Sequence, residues 1–557
     1  MEHKFSIGLD YGSNSVRALL VDITDGTETA SISYNYPSGK DGILLDPKNH
    51  NIARQNPADY IKGMEYCLAN VIRAAQKNKK FKRENIIGIG VDTTGSTPIP
   101  VDKNCAPLSF AKEFKNNINA QAWLWKDHSG FEEAGLITEL AGKEWPQYLV
   151  KCGGTYSSEW FFSKILHCLN VDSKVFNAAY SWVELADYIP AVLTGAASPA
   201  QIKRSICAAG HKAMFNEKYG GLPEKSFLAK LNPELAELRD RLYSKAYPSD
   251  VKAGNISPEY AKKFGLPAGV SVSVGAFDAH MGAVGAGIKP GSLVKIIGTS
   301  TCDMAVSPKS EQLQDIPGLC GIVDSSILPG YWGMEAGQSA VGDILYWFVD
   351  NFAGKKVFGN DPHKVLTEKA GKLQPGETGL LTLDWHNGNR TVLVDSQLTG
   401  LTVGFTLGTK PEHVYRSLIE STAFGAKVII DRFREYGVKI DEVINCGGIA
   451  EKNALFMQIY SDVLGIEMKI SKSSQTCALG AAIFGAVCAG KEISGFENVE
   501  QAQEKISGIK KVYKPNKQNH IKYQELFKLY KQLHDNFGLK NRAENMYNIM
   551  KDLLRIK

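Results

Sequence analysis

The sequence lacks paired cysteine motifs and long apolar runs, and each absence excludes a class of protein. Its ten cysteines are scattered, with no Cys-x-x-Cys pair and no Cys/His cluster at zinc-ligand spacing, so we expect reduced thiols in a reducing compartment. The longest helix-like apolar stretch, Cys477 to Gly490, is too short to span a bilayer. The N-terminal residues lack the apolar core of a signal peptide. These features predict a cytoplasmic protein without a membrane partner.

A strong charge imbalance is also missing. The formal net charge is +5 over 557 residues, and a nucleic-acid surface would need a denser basic stripe with interleaved aromatic residues, so we expect no nucleic-acid partner. There is no Gly-x4-Gly-Lys-Ser/Thr motif, which excludes a P-loop nucleotide site. The composition is that of a globular protein, and the length favours two large domains.

The most regular feature that is present is a strand–turn–strand unit that occurs twice. The two units span 5–21 and 292–306, and their turns are Gly12-Ser13-Asn14 and Gly298-Thr299-Ser300-Thr301. Residues 120–260 are irregular and rich in Trp, Tyr and Gly, which indicates an elaboration on the core. The Gly/Pro-rich segment Gly287 to Gly291 is typical of a hinge. We therefore predict two domains, 1–287 and 288–557.

Both turns have the composition of a phosphate-binding loop. Gly and hydroxyl residues at a tight turn expose backbone N–H groups that bind phosphate oxygens. Asp10, at the end of the first strand, is suited to hold Mg²⁺ through water, because Mg²⁺ keeps several waters and takes few carboxylates. Arg17 would add positive charge near the phosphates; the alternative is a surface arginine on an edge strand.

Two further positions follow buried strands. Gly447-Gly448 would let a flat ligand lie against the backbone, although such a pair is also common in a plain strand-to-helix turn. Asp278, in Val-Gly-Ala-Phe-Asp-Ala-His-Met-Gly, precedes a helix of small residues. Its carboxylate could cap that helix, or it could accept a proton from a hydroxyl that attacks a γ-phosphate.

Together these motifs resemble the FGGY family of carbohydrate kinases over about residues 5–490. The shared family motifs are Gly8 to Ala18, Gly298 to Thr301, Asn445-Cys446-Gly447-Gly448 with Asn453 and Ser461-Asp462, and Asp187 with Leu193-Thr194-Gly195. Longer strings resemble in particular the members that act on L-ribulose: Gly90 to Pro98, Leu124 to His128, Tyr156 to Trp160, Ala209 to Lys212, Gly275 to Gly287, Glu335 to Ser339 and Leu383 to Trp385.

The resemblance implies an α/β fold of two actin-like (ribonuclease H-like) domains that close over a catalytic cleft. ATP would bind mainly to the second domain and the sugar mainly to the first. The cofactors would be ATP and Mg²⁺, and because family members are often dimeric, a homodimer is left open. Asp278 would be the catalytic base and Asp10 would lie near the metal. The nucleotide and its phosphates would meet Gly12, Ser13, Asn14, Arg17, Gly298, Thr299, Ser300, Gly337, Gly447, Gly448 and Asn453.

The implied reaction is the phosphorylation of a ketopentose such as L-ribulose, a step of arabinose catabolism. Ser96, Lys212, Asp278 and Glu335 would contact the sugar. Lys212 as a surface residue and Glu335 as a helix cap are the alternatives. Residues 93–97 read Thr-Thr-Gly-Ser-Thr, not the Arg-Glu pair with which glycerol kinase holds its polyol, and this argues against glycerol.

Two other functions remain open from the sequence. The first is a kinase of the same family that acts on D-ribulose, xylulose or a pentitol. The second is an actin-like ATPase that regulates a protein partner, although no appended β-rich domain is visible for that role. The tail, 495–557, matches no motif; its apolar stripe of Tyr523, Leu526, Leu529, Tyr530 and Leu533 predicts a helix that packs on the second domain.

Overall fold

The first strand–turn–strand unit opens a seven-stranded sheet. The structure, a computed structural model, describes residues 2–310, 313–353, 358–540, 542 and 549–556. The sheet has the order β12-β13-β6-β1-β2-β3, with β14 beside β6. The strands up to residue 277 are β1 Phe5–Tyr11, β2 Ser15–Asp22, β3 Thr27–Asn35, β4 Leu44–Asp46, β5 Asn49–Gln55, β6 Ile86–Thr93, β7 Pro98–Val101, β8 Ala122–Trp123, β9 Ser181–Glu184, β10 Arg204–Ser205, β11 Ala246–Tyr247, β12 Lys252–Asn255, β13 Ser271–Ser273 and β14 Ala276–Phe277.

Helix α1, Pro57–Ala75, covers this sheet. It begins at Pro57 because the Asn56 side chain accepts a hydrogen bond from the Ala58 amide and proline suits the first turn of a helix. The other helices of this half are α2 Phe131–Glu144, α3 Phe161–Val171, α4 Ser173–Ala178, α5 Leu185–Thr194, α6 Ile206–Lys212, α7 Lys225–Leu231, α8 Pro233–Leu238, α9 Pro258–Phe264 and α10 Asp278–Gly285.

The irregular region 120–260 forms a satellite layer with its own core. Short helices there bury an aromatic cluster that includes Trp123, Trp160 and Trp182. Its strands form small separate sheets, β7-β9 and β10-β11, and β8 joins β4 and β5. The prediction of an elaboration on the core is therefore confirmed.

The second unit opens a second seven-stranded sheet of order β17-β18-β16-β15-β21-β22-β23. Antiparallel β15 and β16 repeat the arrangement of β1 and β2, and β21 lies parallel beside β15 as β6 lies beside β1. The strands are β15 Gly291–Ile297, β16 Thr301–Pro308, β17 Gly321–Asp324, β18 Tyr331–Ala336, β19 Leu381–Leu383, β20 Leu401–Val403, β21 Ile440–Cys446, β22 Met468–Ser471 and β23 Ile509–Tyr513.

The helices of this half include the tail. They are α11 Gly342–Phe352, α12 Pro362–Ala370, α13 Pro411–Glu435, α14 Gly448–Lys452, α15 Ala454–Leu464, α16 Thr476–Val487, α17 Lys491–Ser494, α18 Val499–Ile506, α19 Lys517–Gly538 and α20 Ile549–Ile556. The predicted tail stripe is buried on α19 within the core of the second sheet, so that prediction is confirmed. No single described helix is long and apolar enough to cross a membrane; α16 and the segment Lys491–Ile506, bent by 110°, meet that test only as a pair.

Helix α16 joins the two halves. It packs on β1 and β6, where Gly8, Gly88 and Gly90 face its backbone so closely that a Cβ on any of them would overlap a carbonyl oxygen of α16. On its other side it crosses α10, with Gly285 and Gly480 at the contact. Apolar residues of both sheets share one core around these two helices. The C-terminal ends of strands β1 and β15, where the two predicted phosphate turns begin, therefore face a common cleft.

Candidate active site

Three carboxylates meet at the cleft edge of the first sheet. Asp10 is the next-to-last residue of β1 and lies in register with Asp92 on the parallel strand β6. Asp92 is in turn in register with Ala276 on β14, and Asp278 follows two residues later as the first residue of α10. Side chains in register on neighbouring parallel strands lie side by side, so strand pairing alone brings these acids together.

Asp278 is not the cap of α10. Phe277 occupies the N-cap position without a side-chain bond, and Asp278 Oδ1 accepts a hydrogen bond from the adjacent Ala279 amide at 2.7 Å. Burial, and after it the charge of Asp10, raise the pKa of Asp278 to about 7, while Lys212 acts in the opposite direction. A carboxylate with a pKa near neutrality is suited to accept a proton from a hydroxyl.

Asp92 lies within the string Gly90 to Pro98, in which the sequence predicts no separate role for this residue. It is fully buried, and neither of its carboxylate oxygens finds a donor in the described part of the chain. Its close neighbour is the carboxyl of Asp10, which can bond to it only when one of the two holds a proton. Burial, followed by the charges of Asp10 and Asp278, raises the pKa of Asp92 well above its usual range.

This carboxylate set fits a magnesium ion. Mg²⁺ prefers oxygen ligands and keeps most of its waters, and the buried, unsatisfied oxygens of Asp92 beside Asp10 need a compensating cation. The nearby Arg17 is only a partial counterion, with Nη1 3.7 Å from Asp10 Oδ2. The same Gly-apolar-Asp triplet occurs at the ends of both strands, Gly8 to Asp10 and Gly90 to Asp92, and this repeat is the sequence signal that could have pointed to the pair.

The first predicted phosphate turn, Gly12-Ser13-Asn14, lies directly beyond these acids. Trp125 Nε1 donates a hydrogen bond to Ser13 Oγ at 2.9 Å, and Gln55 Nε2 donates to the Ser13 carbonyl at 2.7 Å. Arg17 lies on β2, between β1 and β3, so it is not on an edge strand. The side chains of Trp125 and Gln55 therefore fix the position of this turn.

The second turn, Gly298-Thr299-Ser300, is held by a buried polar layer. The Gln338 amide donates to Thr301 Oγ1 at 3.0 Å, and the Thr301 amide donates to the Gln338 carbonyl at 3.1 Å. Lys295 Nζ donates to Gln338 Oε1 at 3.0 Å and pairs with Asp303. Arg390 Nη2 donates to the Thr301 carbonyl at 2.7 Å. Sequence reasoning did not single out Arg390, since nothing in its neighbourhood forms a motif.

The predicted nucleotide glycines fall into two groups. A Cβ built on Gly12 or Gly298 would meet nothing closer than 3.5 Å, and on Gly448 nothing within 4 Å, so these three border open space. On Gly337 a Cβ would overlap the Thr301 carbonyl, and on Gly447 it would overlap the Ile297 carbonyl. Packing within the chain therefore requires glycine at 337 and 447, whereas the first three leave room for a ligand.

The remaining residues of the third motif have structural contacts. Asn453 caps α15, since its side chain accepts a hydrogen bond from the Phe456 amide at 3.0 Å. Ser461 and Asp462 lie on the face of α15 that meets the tail. Asp462 accepts bonds from the Asn516 amide and the Asn519 side chain, both at 2.8 Å. Asp462 therefore anchors the start of α19, while Ser461 Oγ donates to the Tyr513 carbonyl on β23 at 3.1 Å.

Lys212 and Glu335 form a buried ion pair across the cleft. Lys212, at the end of α6, places Nζ 3.2 and 3.0 Å from the two carboxylate oxygens of Glu335 on β18. Burial opposes ionisation of Glu335, but the charges of Lys212 and its neighbours outweigh it and lower the pKa of the carboxyl. Lys212 is buried and is therefore not a surface residue. Glu335 caps no helix, because it lies within β18 and pairs there with Met304 on the neighbouring strand β16.

Ser96 lies at the inner wall of the same region. Its Oγ donates to Glu184 Oε1 at 3.0 Å, and Lys164 Nζ donates to its carbonyl at 2.6 Å. Its φ of 29° is in the left-handed region, a strained conformation that these bonds hold in place. The hydroxyl therefore has a partner within the chain.

Two of the quoted strings have a structural role. Asp127 is buried and ion-paired with Arg54, and it accepts a bond from the Ala53 amide at 2.7 Å, so its carboxylate does not face the cleft. Asp187 Oδ1 accepts a bond from the Ser205 amide at 2.7 Å, and Oδ2 lies 3.5 Å from Arg204. Both aspartates stabilise the satellite layer around the site.

Comparison with known proteins decides the family. Residues 5–285 match the N-terminal domain of the FGGY family of carbohydrate kinases, and residues 293–489 match its C-terminal domain. This chain belongs to the FGGY family of carbohydrate kinases. The fold predicted from the resemblance, two α/β domains around a cleft, is therefore confirmed, and the family itself uses ATP as its phosphoryl donor.

Curated relatives extend the match over the whole chain of this FGGY kinase. It is 40% identical to the ribulokinase of Halalkalibacterium halodurans, with 100% of this chain and 98% of that protein covered. It is 41% identical to the ribulokinase of Geobacillus thermodenitrificans, with coverage of 99% and 97%. The tail, which no family domain covers, is thus part of the alignment with both.

Solved structures agree on the fold. The xylulose kinase of Rhodospirillum rubrum superposes with a TM-score of 0.78 at 21% identity, covering 96% of this chain and 99% of that one. The Plasmodium falciparum glycerol kinase with ADP gives a TM-score of 0.76 at 16% identity, covering 97% of this chain and 99% of that one. At these identities the likeness concerns the fold alone.

Proposed function

We propose that this kinase transfers the γ-phosphoryl group of ATP to the terminal hydroxyl of a ketopentose, converting L-ribulose to L-ribulose 5-phosphate. The observation that carries the proposal is the position of Asp278. The charges of Asp10, Lys212 and Glu335 all act on its carboxyl, so Asp278 lies near both the proposed metal-binding acid and the proposed sugar-binding pair. The full-length similarity to ribulokinases supports L-ribulose as the substrate.

Asp278 is the general base of this mechanism. Its deprotonated carboxylate accepts the proton of the terminal hydroxyl as that oxygen bonds to the γ-phosphorus and the bond to the bridging oxygen of ADP breaks. The Ala279 amide at 2.7 Å orients the carboxylate. Phosphoryl transfer depends mainly on positioning and electrostatics, and general-base assistance contributes about 10²–10⁴-fold.

Asp10 and Asp92 would hold Mg²⁺, Asp10 through water as expected for this ion. When bound, Mg²⁺ neutralises charge on the β- and γ-phosphates. Within the chain itself, Arg17 and the turn Gly12-Ser13-Asn14 bind the phosphates from the first half. Gly298, Thr299 and Ser300 bind them from the second half. Gly448 leaves room for the adenosine, while Gly337, Gly447 and Asn453 shape the wall of that site.

Lys212 and Glu335 would bind the sugar. A ketopentose offers a carbonyl that accepts a hydrogen bond from Lys212 and hydroxyls that donate to Glu335. Both side chains are buried and already face each other at 3.0 Å, so they form a rigid pair that rejects a substrate lacking either group. Ser96 would form part of the pocket wall beside Lys212 and Glu335.

The remaining features of the proposal concern the whole molecule. The sugar-binding and ATP-binding domains, 1–287 and 288–557, would close about Gly287 to Gly291, where both end glycines have a left-handed φ, and so exclude water from the transfer. We propose a cytoplasmic enzyme whose partners are the sugar and ATP, without nucleic acid or membrane, and a homodimer as its assembly.

The test is ADP production with Mg-ATP and L-ribulose, D-ribulose, D-xylulose, ribitol, L-arabinitol or glycerol, beside a control without sugar. We expect L-ribulose to have the highest kcat/KM. A higher kcat/KM for another pentulose or pentitol would overturn the assignment of L-ribulose as the substrate but would leave the proposed mechanism in place. ATP hydrolysis that does not respond to any sugar would overturn the kinase and favour an actin-like ATPase that regulates a protein partner.

A further inference from the structure

Two histidines and a glutamate form a buried cluster behind the proposed sugar-binding pair. His211 lies on α6, His280 on α10 and Glu335 on β18, so the cluster connects the two halves of the molecule. One ligand atom from each lies within 4.8 Å of the other two, and all three residues are buried. Neither histidine has a role in the phosphoryl transfer derived above.

The hydrogen bond of His211 determines which of its nitrogens is free. His211 Nε2 lies 3.0 Å from Ser326 Oγ, and that hydroxyl donates its one proton to the Val323 carbonyl at 3.2 Å. Nε2 must therefore be the donor to Ser326, which leaves a lone pair on Nδ1 in the neutral ring. That lone pair faces Glu335 Oε2 at 3.5 Å. Two acceptors that face each other require a cation or a proton between them.

His280 lacks any hydrogen-bond partner. Both of its ring nitrogens are buried without a donor or acceptor among the described residues, and its ring centre is 4.5 Å from that of His211. Unsatisfied buried imidazole nitrogens are costly and call for a ligand.

Strand β17 packs closely on the ring of His211. Gly321 on β17 faces the ring, and a Cβ at 321 would overlap Nδ1. Packing against the imidazole therefore requires glycine at this position. The bond from His211 Nε2 to Ser326 is the outer contact that orients a metal-binding histidine and fixes its tautomer.

From this geometry we propose that His211, His280 and Glu335 bind a divalent transition-metal ion of the zinc or cobalt class. Two imidazoles and one carboxylate are a donor set that Zn²⁺ and Co²⁺ accept, whereas Mg²⁺ prefers oxygen donors alone. The site is therefore chemically distinct from the proposed magnesium position at Asp10 and Asp92. Three protein ligands leave a further coordination position for water or a small molecule.

Lys212 would compete with the metal ion for the carboxylate of Glu335. Its ammonium is 3.0 Å from Glu335 Oε2, the same oxygen that faces His211. A metal ion at Oε2 would displace Lys212, because two cations cannot share that oxygen at short range. This competition rests on the proposed function, in which Lys212 and Glu335 bind the sugar. The metal ion and the ketopentose then cannot be bound at the same time.

The direct test is titration of the chelator-treated full-length protein with Co²⁺, followed by its visible absorption, and with Zn²⁺ by calorimetry. We expect one ion per chain with nitrogen and oxygen ligation. His280→Gln should lower the affinity at least about tenfold. Ser326→Ala, which removes no metal ligand but removes the hydrogen bond that orients His211, should lower it about 10–100-fold. Thermal unfolding of each variant checks that the fold is retained.

A second cluster, His3, Asp22 and Asp25, in which only Asp25 is exposed, provides a matched control. His3→Gln should leave the affinity unchanged, since the proposed site lies elsewhere. The proposal is overturned if no stoichiometric binding occurs, if folded His280→Gln and Ser326→Ala both bind as the parent does, or if a thiolate-to-cobalt absorption band shows that cysteine is the ligand.

The competition is tested separately. If the protein phosphorylates L-ribulose, Zn²⁺ in excess Mg²⁺ should raise the KM for L-ribulose without lowering kcat, and this effect should weaken in Ser326→Ala. An unchanged KM at saturating Zn²⁺ would overturn the competition. If instead no sugar is phosphorylated, the proposed function fails, while the Co²⁺ titration still decides the metal site.

Discussion

The hydroxyl of Tyr530, on the tail helix α19, donates a 2.8 Å hydrogen bond to Asp384 Oδ1, and both residues are buried. Asp384 Oδ2 accepts a 2.8 Å bond from Gln338 Nε2, and Gln338 in turn is bonded to Lys295 and Thr301 below the second phosphate turn. A continuous line of buried hydrogen bonds thus connects the tail to the turn Gly298-Thr299-Ser300. The tail does more than cover the second sheet, because it supports a layer on which that turn lies.

Tyr530→Phe should therefore affect ATP binding as well as stability. Loss of the donor leaves one oxygen of a buried carboxylate unsatisfied, so we expect unfolding to become easier by about 1–3 kcal/mol. The KM for ATP should rise about 3–10-fold, equivalent to ~1 kcal/mol. Tyr523→Phe is the control: its hydroxyl bonds Glu420 at 2.8 Å in a separate buried network with Arg416. An equal rise in ATP KM in both variants would contradict this connection.

The pH dependence of kcat/KM should report Asp278. Burial and the charge of Asp10 raise its pKa to about 7 in the free protein, and only the deprotonated form can accept a proton. We therefore expect kcat/KM to fall as the pH drops below about 7 and to level off above it. Asp278→Asn should lower kcat about 10²–10⁴-fold with ATP binding retained. A variant with near-normal turnover, or a profile that is flat between pH 5 and 8, would rule Asp278 out as the base.

Asp92→Asn should weaken metal binding. We expect the dissociation constant of Mn²⁺, measured by electron paramagnetic resonance in the presence of ADP, to rise about tenfold. The metal-free variant should be more stable than the parent at neutral pH, because removal of one buried carboxylate relieves its repulsion with Asp10 and Asp278. A large loss of stability with unchanged Mn²⁺ affinity would show instead that Asp92 is purely structural.

Gly448→Ala and Gly447→Ala separate ligand contact from packing. A Cβ at 448 meets nothing within 4 Å, so the variant should keep the melting temperature of the parent and raise the KM for ATP. Gly447 has φ 95° and faces the Ile297 carbonyl, so its alanine variant should lose about 1–3 kcal/mol of stability. Unchanged ATP kinetics in Gly448→Ala would remove that residue from the nucleotide site.

Local features of the fold were readable from the sequence. Both strand–turn–strand units open their sheets as predicted, and the tail stripe from Tyr523 to Leu533 is buried on a helix. These predictions depend on turn chemistry and on the period of apolar residues, which operate within a few neighbouring positions. Family membership followed from long strings of residues in order.

Contiguous stretches of sequence therefore predict the fold, the family and Asp278 as the candidate base. Folding in three dimensions is needed to bring Asp92 to Asp10, Lys212 to Glu335 across 123 positions, and His211 to His280. The same holds for the tail, whose contact with Asp384 joins positions 146 apart. Strand register and the crossing of α10 with α16 set these distances, and neither is encoded in the spacing of residues along the chain.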